Sequence, residues 1–212
     1  MAKVLVFGGS KNMGLHIVEA LVREGHNVAV MLRSNSSGKA LEQLGVEIIM
    51  GDAFSLDDCV TAVKVAKPSI VISTLGGKNS EGQRIDGIGN INAIQAIEKS
   101  GINLGKFILI TSMGSGDQFN TLNENIKKAL GEALIEKTKA EEFLRNQKFP
   151  WIIVRPGGLT HEEASGQYKF SLTEDLTIAD YISRKDVANA VAKQIDSDDF
   201  IGQAVSLFGA NV

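Results

Sequence analysis

Val4-Leu5-Val6-Phe7-Gly8-Gly9-Ser10-Lys11-Asn12-Met13-Gly14 is an apolar run closed by glycines, and residues 13–23 behind it carry apolar side chains at Leu15, Val18, Leu21 and Val22. The run has the length of a strand and the spacing that follows is helical, so the stretch reads strand, tight turn, helix. Glycines at such a turn let the backbone approach a bound group closely. The helix N-terminus adds unpaired N–H groups and partial positive charge, and the two together cradle a pyrophosphate. A Gly-rich turn alone says little, but its place between a strand and a helix makes dinucleotide binding the expectation. The Gly-Lys-Ser/Thr that a P-loop requires does not follow.

Outward from that stretch the unit recurs. Strand-like runs at 28–32, 46–50, 70–74 and 107–111 are followed by helix-like stretches around 39–44, 56–65, 85–99 and 123–145, and a further run lies at 151–155. Continuous apolar strands are buried on both faces, and their alternation with helices demands right-handed crossovers into a parallel sheet. The expected fold is a doubly wound, Rossmann-like α/β domain. Gly25, Gly45 and Gly101 stand where left-handed helix ends would fall. No repeat, low-complexity tract or Pro-rich linker divides the chain, so one NAD(P)-binding domain is expected over 1–212. Its Rossmann core would span 1–156. Residues 157–212, with strand-like 167–172, a helix at 184–195 and a last strand at 204–208, would form a small cap on the substrate side.

Composition narrows the function. There are 22 Lys and Arg against 25 Asp and Glu, a net charge of −3 with both signs scattered, so no basic stripe for nucleic acid stands out. With 43% apolar residues the chain can bury a core. No apolar run approaches the ~20 residues of a membrane helix, and residues 1–7 lack the pattern of a secretory leader, so a cytoplasmic protein is expected. A single cysteine, Cys59, excludes an internal disulfide and fits a reducing compartment. His16, His26 and His161 share no ligand spacing, so no metal site is expected.

The end of the second strand bears on which nucleotide fits. A free ribose 2′-hydroxyl is usually held by an Asp or Glu about 20 residues past the glycines, and a 2′-phosphate by Arg or Lys. Between positions 26 and 39 there is no acidic residue, whereas Arg33 follows the strand with Ser34 and Ser36 beside it, and Lys11 lies in the glycine loop. That placement favours NADP(H) over NAD(H); solvated surface charge is the plain alternative.

These motifs resemble the short-chain dehydrogenase/reductase superfamily over nearly the whole chain. Gly8-Gly9-Ser10-Lys11-Asn12-Met13-Gly14 resembles its glycine loop with Asn12 where a glycine is usual. Gly51-Asp52-Ala53 is similar to its adenine-contacting segment, and Ser73-Thr74-Leu75-Gly76-Gly77 to the loop passing the adenine ribose. Ile110-Thr111-Ser112 ends the fifth strand where the superfamily keeps its active-site Ser. Ile153-Val154-Arg155-Pro156-Gly157-Gly158-Leu159 and Ile182-Ser183-Arg184-Lys185-Asp186-Val187-Ala188 resemble the atypical branch. That branch includes NmrA-like proteins and the NADPH-dependent flavin reductase/biliverdin-IXβ reductase group. The resemblance implies that Gly8 to Gly14, Asp52, Ala53, Thr74, Leu75, Gly76, Thr111, Ser112, Lys137, Pro156, Gly157 and Gly158 line the cofactor. Ser112 and Lys137 would be its catalytic residues.

One departure directs the chemistry. The superfamily's tyrosine stands four residues before its lysine; here Lys137 takes the lysine's place and Ala133 the tyrosine's. The only tyrosines are Tyr168 and Tyr181, outside that helix. Reducing a simple ketone creates an alkoxide that needs a local acid, whereas a flavin, quinone or conjugated carbonyl spreads the charge and takes its proton from solvent later. The expectation is therefore an NADPH-dependent reductase of a conjugated small molecule, with Ser112 near the hydride and Lys137 on the ribose. Two alternatives stay open: Lys137 as the acid of a carbonyl or enone reductase, and a non-catalytic NADP(H)-binding sensor or scaffold of NmrA-like type. The loop 113–122 is expected to be flexible and to shape the acceptor site. The long helix at 123–145 leaves monomer and homodimer both allowed.

Overall fold

The computed structural model describes residues 1–172 and 181–210; residues 173–180 and 211–212, which the expected cap includes, lie outside the described residues. Six strands and five helices alternate first: β1 (Lys3–Phe7), α1 (Asn12–Arg23), β2 (Asn27–Leu32), α2 (Lys39–Gln43), β3 (Glu47–Met50), α3 (Leu56–Ala66), β4 (Ile70–Ser73), α4 (Ile88–Ser100), β5 (Lys106–Ile110), α5 (Glu124–Arg145) and β6 (Trp151–Pro156). Then come β7 (Gly158–Thr160), β8 (Tyr168–Ser171), β9 (Tyr181–Ser183), α6 (Arg184–Lys193) and β10 (Gln203–Gly209). The main sheet has the order β3-β2-β1-β4-β5-β6-β10-β8. Every pairing in it is parallel except β10 with β8. The chain thus turns back at β1 and β4, and in an open α/β sheet ligands bind at that switch point, beyond the carboxyl ends of the strands.

Burial explains why the strands read as unbroken apolar runs. Val4, Val6, Ile108, Ile110, Ile152 and Val154 face one core with α1 and α6, while Leu5, Phe7, Phe107, Leu109 and Ile153 face a second with α3, α4 and α5. The expected stops hold, because Gly25, Gly45 and Gly101 all have φ between 68° and 82°. Ser55, Asn123 and Ser183 each accept a hydrogen bond from the backbone N–H three residues on, which fixes where α3, α5 and α6 begin. At the far end of α6 the buried Lys106 ammonium donates to the carbonyls of Gln194, Ile195 and Ser197. The residues after Pro156 do two jobs. β10 and α6 complete the core layers, whereas β7 and β9, neither expected from sequence, pair as a separate parallel ribbon, with β9 beside β10 and α6.

The loop after β5 departs from expectation. It is not loose: a 3-10 helix over Gly116–Thr121 is pinned inside it. Gln118 is buried, accepts from Gly114 N–H at 3.0 Å and donates to the Ser206 hydroxyl on β10 at 2.9 Å, and Gly116 N–H donates to Thr138 on α5 at 2.8 Å. A polar sequence can be rigid when its polar groups are spent inside the protein. No helix among the described residues is long and apolar enough to cross a membrane.

Candidate functional site

The first turn after β1 is built for close backbone approach. Gly8 has φ +85°, and a Cβ there would stand 2.7 Å from Thr74 Oγ1; a Cβ on Gly14 would collide with the Gly8 carbonyl. Thr74 Oγ1 in turn donates to the Gly8 carbonyl at 3.1 Å, tying the β1 turn to the β4 turn across the switch point. Gly9 packs against Val18 and Val30, where a Cβ would come within 3.0 Å of both, so α1 lies tightly on the sheet. Asn12 takes φ +50° in place of the usual glycine, which Asn tolerates better than most residues. The start of α1 has no side-chain cap and no acidic residue in its first turn. Its N–H groups therefore face outward with their partial charge uncompensated. This turn has the shape and polarity for a pyrophosphate.

Around it stand the residues expected to meet the rest of a dinucleotide. Lys11, Arg33 and Ser34 are exposed at the ends of β1 and β2, and neither cation forms an ion pair with another described residue. Asp52 uses one carboxylate oxygen to accept from Phe54 N–H at 3.0 Å, and Ala53 is buried with its carbonyl accepting from Asn92. Leu75 is half-buried and Gly76 exposed at the end of β4; Pro156 is buried, with Gly157 half-buried and Gly158 exposed beyond it. Ser112 is half-buried at the end of β5, and its neighbour Met113 N–H donates to the Pro156 carbonyl at 2.9 Å.

Lys137 reaches the same edge from α5. Its ammonium lies 3.5 Å from Asp86 Oδ1, and a Cβ on Gly76 would be 3.5 Å from it. Asp86 is buried and accepts from Gly77 N–H at 2.9 Å, while Arg84 stands 3.5 Å from its other oxygen. Asn90, also buried, donates to the carbonyls of Leu75 and Asp86 and accepts from Ser73. Asp86 and Asn90 thus hold the β4 turn against α4 and steer Lys137 to it. Sequence reading overlooked both, although Asn90, a polar residue on the buried face of α4, signals such a strap.

Thr111 behaves differently from its neighbours. Its hydroxyl donates to Glu141 Oε1 at 2.7 Å, on the α5 side of the sheet and away from the turn. Glu141 is fully buried and accepts from Arg155 Nε at 3.0 Å and Nη2 at 2.6 Å, and Arg155 also donates to Asp117 at 2.6 Å. Burial opposes the charge on Arg155, but Glu141 and Asp117 outweigh it and raise the guanidinium's pKa. Burial likewise pushes Asp117 up, and Arg155 more than reverses this, leaving Asp117 below the usual carboxylate range. This network ties the end of β5 to α5 through Thr111, the residue before Ser112. Tyr168 sits on β8 with the Lys193 ammonium over its ring, whereas Tyr181 opens β9 beside Gly158. Among the described residues no three His, Cys, Asp or Glu side chains cluster as a metal would need.

Comparison with known proteins names this arrangement. The model of the NAD(P)H-binding family matches residues 8–198, starting on the first glycine of the turn. The chain belongs to the NAD(P)H-binding family. A solved family-like structure, the anaerobilin reductase ChuY of Escherichia coli O157:H7, superposes with a TM-score of 0.86 at 30% identity, covering 99% of this chain and 98% of that one. An uncharacterized sugar epimerase of Bacillus subtilis is 26% identical over 97% of this chain and 93% of its own length. A solved structure from Streptococcus pneumoniae shares the fold, with a TM-score of 0.76 at 20% identity over 99% of this chain and all of that one. The glycine cradle, the bare helix terminus and the unpaired cations fit the nucleotide that defines the NAD(P)H-binding family.

Proposed function

We propose that this NAD(P)H-binding protein is an NADPH-dependent reductase of a conjugated small molecule. The observation that carries the reading is a glycine turn at the switch point that leaves room for no side chain, together with Ala133 one turn before Lys137, where a tyrosine would supply the proton. The likeness to an anaerobilin reductase over almost the whole of both chains supports it. When bound, the reduced nicotinamide supplies a hydride.

The protein's own part is to bind and orient. Gly8, Gly9, Ser10, Asn12, Met13 and Gly14 would hold the pyrophosphate through backbone N–H groups, and Arg33, Ser34 and Lys11 a ribose 2′-phosphate. Asp52, Ala53, Thr74, Leu75 and Gly76 would border the adenine side. Lys137, fixed by Asp86, would donate to the ribose beside the reacting ring, and Pro156, Gly157 and Gly158 would border that ring. Ser112 would offer its hydroxyl to the acceptor, with Thr111 acting through Glu141 to keep the strand end in place.

Anaerobic NADPH oxidation followed at 340 nm, with FMN and then biliverdin as acceptor and NADH as control, tests the reading. Oxidation above the enzyme-free rate is expected, preferring NADPH. Arg33→Ala should weaken NADPH about tenfold or more and leave NADH unchanged, since a charge-assisted hydrogen bond is worth about 1.5–3 kcal/mol. NADPH binding without reduction of any acceptor would replace the reductase with a nucleotide sensor.

A further inference from the structure

Among the Phe, Tyr and Trp side chains of the described residues only Tyr181 is exposed, at 63%. Its ring lies against the backbone of Gly158: a Cβ on that glycine would be 2.6 Å from ring Cδ1 and 2.7 Å from Cε1. Any larger residue at position 158 would lift the ring away. The backbone beneath is rigid. Gly158, Leu159 and Thr160 pair with Tyr181, Ile182 and Ser183, and Arg184 donates to the carbonyls of Leu159 and Thr160. Ser183 then caps α6. A flat, apolar surface held on a fixed strand and left facing water is a preorganised contact rather than a piece of core.

Its place gives the contact a ligand. Met113 N–H bonds to the Pro156 carbonyl, so Ser112 is level with the end of β6, and Gly158 is two residues further out. Were β7 to run straight on from β6, two strand spacings of about 4.8 Å and two residues at about 3.3 Å would set Tyr181 about 12 Å from Ser112. A single six-membered ring near Ser112 would fall short; a fused or linked array of rings would reach.

We infer that Tyr181 is the stacking platform for the far end of an extended planar acceptor, such as a tricyclic isoalloxazine or a multi-ring conjugated chromophore. The inference rests on the proposed reductase reading for the nearer end of the acceptor. It makes Tyr181 a specificity-determining residue that sets the breadth of the acceptor while the nucleotide cradle is untouched.

Titration of FMN fluorescence in the presence of saturating NADP⁺, alongside steady-state NADPH oxidation with FMN, tests it in the wild type, Tyr181→Phe and Tyr181→Ala. Stacking on an aromatic ring quenches FMN. Tyr181→Ala is expected to weaken FMN about tenfold or more in both Kd and KM, Tyr181→Phe to keep both within about twofold, and NADPH affinity to stay within about twofold in each. If FMN binds with quenching in the wild type and loses it in Tyr181→Ala, but no turnover occurs, the platform stands and the reductase reading falls. If Tyr181→Ala binds FMN as tightly as the wild type, or Tyr181→Phe loses as much as Tyr181→Ala, or NADPH weakens in parallel, the inference is overturned whatever the turnover.

Discussion

Replacing Arg155 with methionine should cost far more than an ordinary ion pair on the surface. Arg155 is 2% exposed and Glu141 0%, so neither charge has water to fall back on. Glu141 accepts three short hydrogen bonds, two from Arg155 and one from Thr111. Removing the guanidinium deletes two of the three and leaves an uncompensated carboxylate in the interior, a loss of about 3–5 kcal/mol. Arg145 has its Nη2 4.0 Å from Glu141 Oε2 and is half in solvent, so it can swing in, which places the expected loss near the lower figure, about 3 kcal/mol. The double replacement Glu141→Leu/Arg155→Met removes both charges and orphans chiefly the Thr111 hydroxyl, a cost of about 1–3 kcal/mol. It should therefore be no worse than Arg155→Met alone, and well short of the sum of the two single changes. Urea unfolding followed by the fluorescence of Trp151, the one tryptophan, measures all three. With a slope of about 2–3 kcal/mol per molar urea, the Arg155→Met midpoint should fall by about 1–1.5 M. A fall under about 0.3 M, or a double variant that loses the full sum, would refute the argument that Arg155 and Glu141 stabilise as a pair.

The same reasoning gives further expectations. Gly14→Ala sets a methyl group onto the Gly8 carbonyl, so it should abolish NADPH binding by isothermal titration while changing far-UV circular dichroism little. Asp186 is below the usual carboxylate range: burial raises it, but the N–H groups of Ser165 and Gly166 and the hydroxyls of Ser183 and Ser165 overcome this. With Asp117 shifted the same way, the stability these two carboxylates contribute is complete above about pH 4–5, where the unfolded groups are ionised, and is lost as pH falls through their lowered folded values. Asp186→Asn should flatten that acid limb in urea midpoints measured from pH 7 to pH 3. The Cys59 thiol is pushed up to about 12 by burial, with Asp58 and Asp52 adding to it, so it should resist a thiol reagent at pH 8 in the folded protein and react at once in 6 M guanidinium.

The strength of local signals decided what could be read in advance. The strand-like runs at 70–74 and 151–155 announced buried parallel strands because both faces of the sheet are covered. The glycine turn was legible because the left-handed φ at Gly8 and the close contact at Gly14 leave room for no side chain. The three-residue strands β7 and β9 were not legible, since each is too short to show alternation and they meet only through the fold. Nor was the rigidity of the 113–122 loop, whose partners Thr138 and Ser206 lie far along the chain.

The sequence by itself determined the alternation of strands and helices, the switch-point turn and the cations beside it, because those depend on contacts between near neighbours and on backbone sterics. Only the tertiary structure decided what polar residues face. It drew Asp86 to Lys137, locked Thr111 away behind Glu141 and Arg155, and laid the Tyr181 ring on Gly158. Each of those pairs joins residues 10 or more positions apart whose side chains are oriented by separate elements, and no local pattern of residues records the angle at which two elements pack.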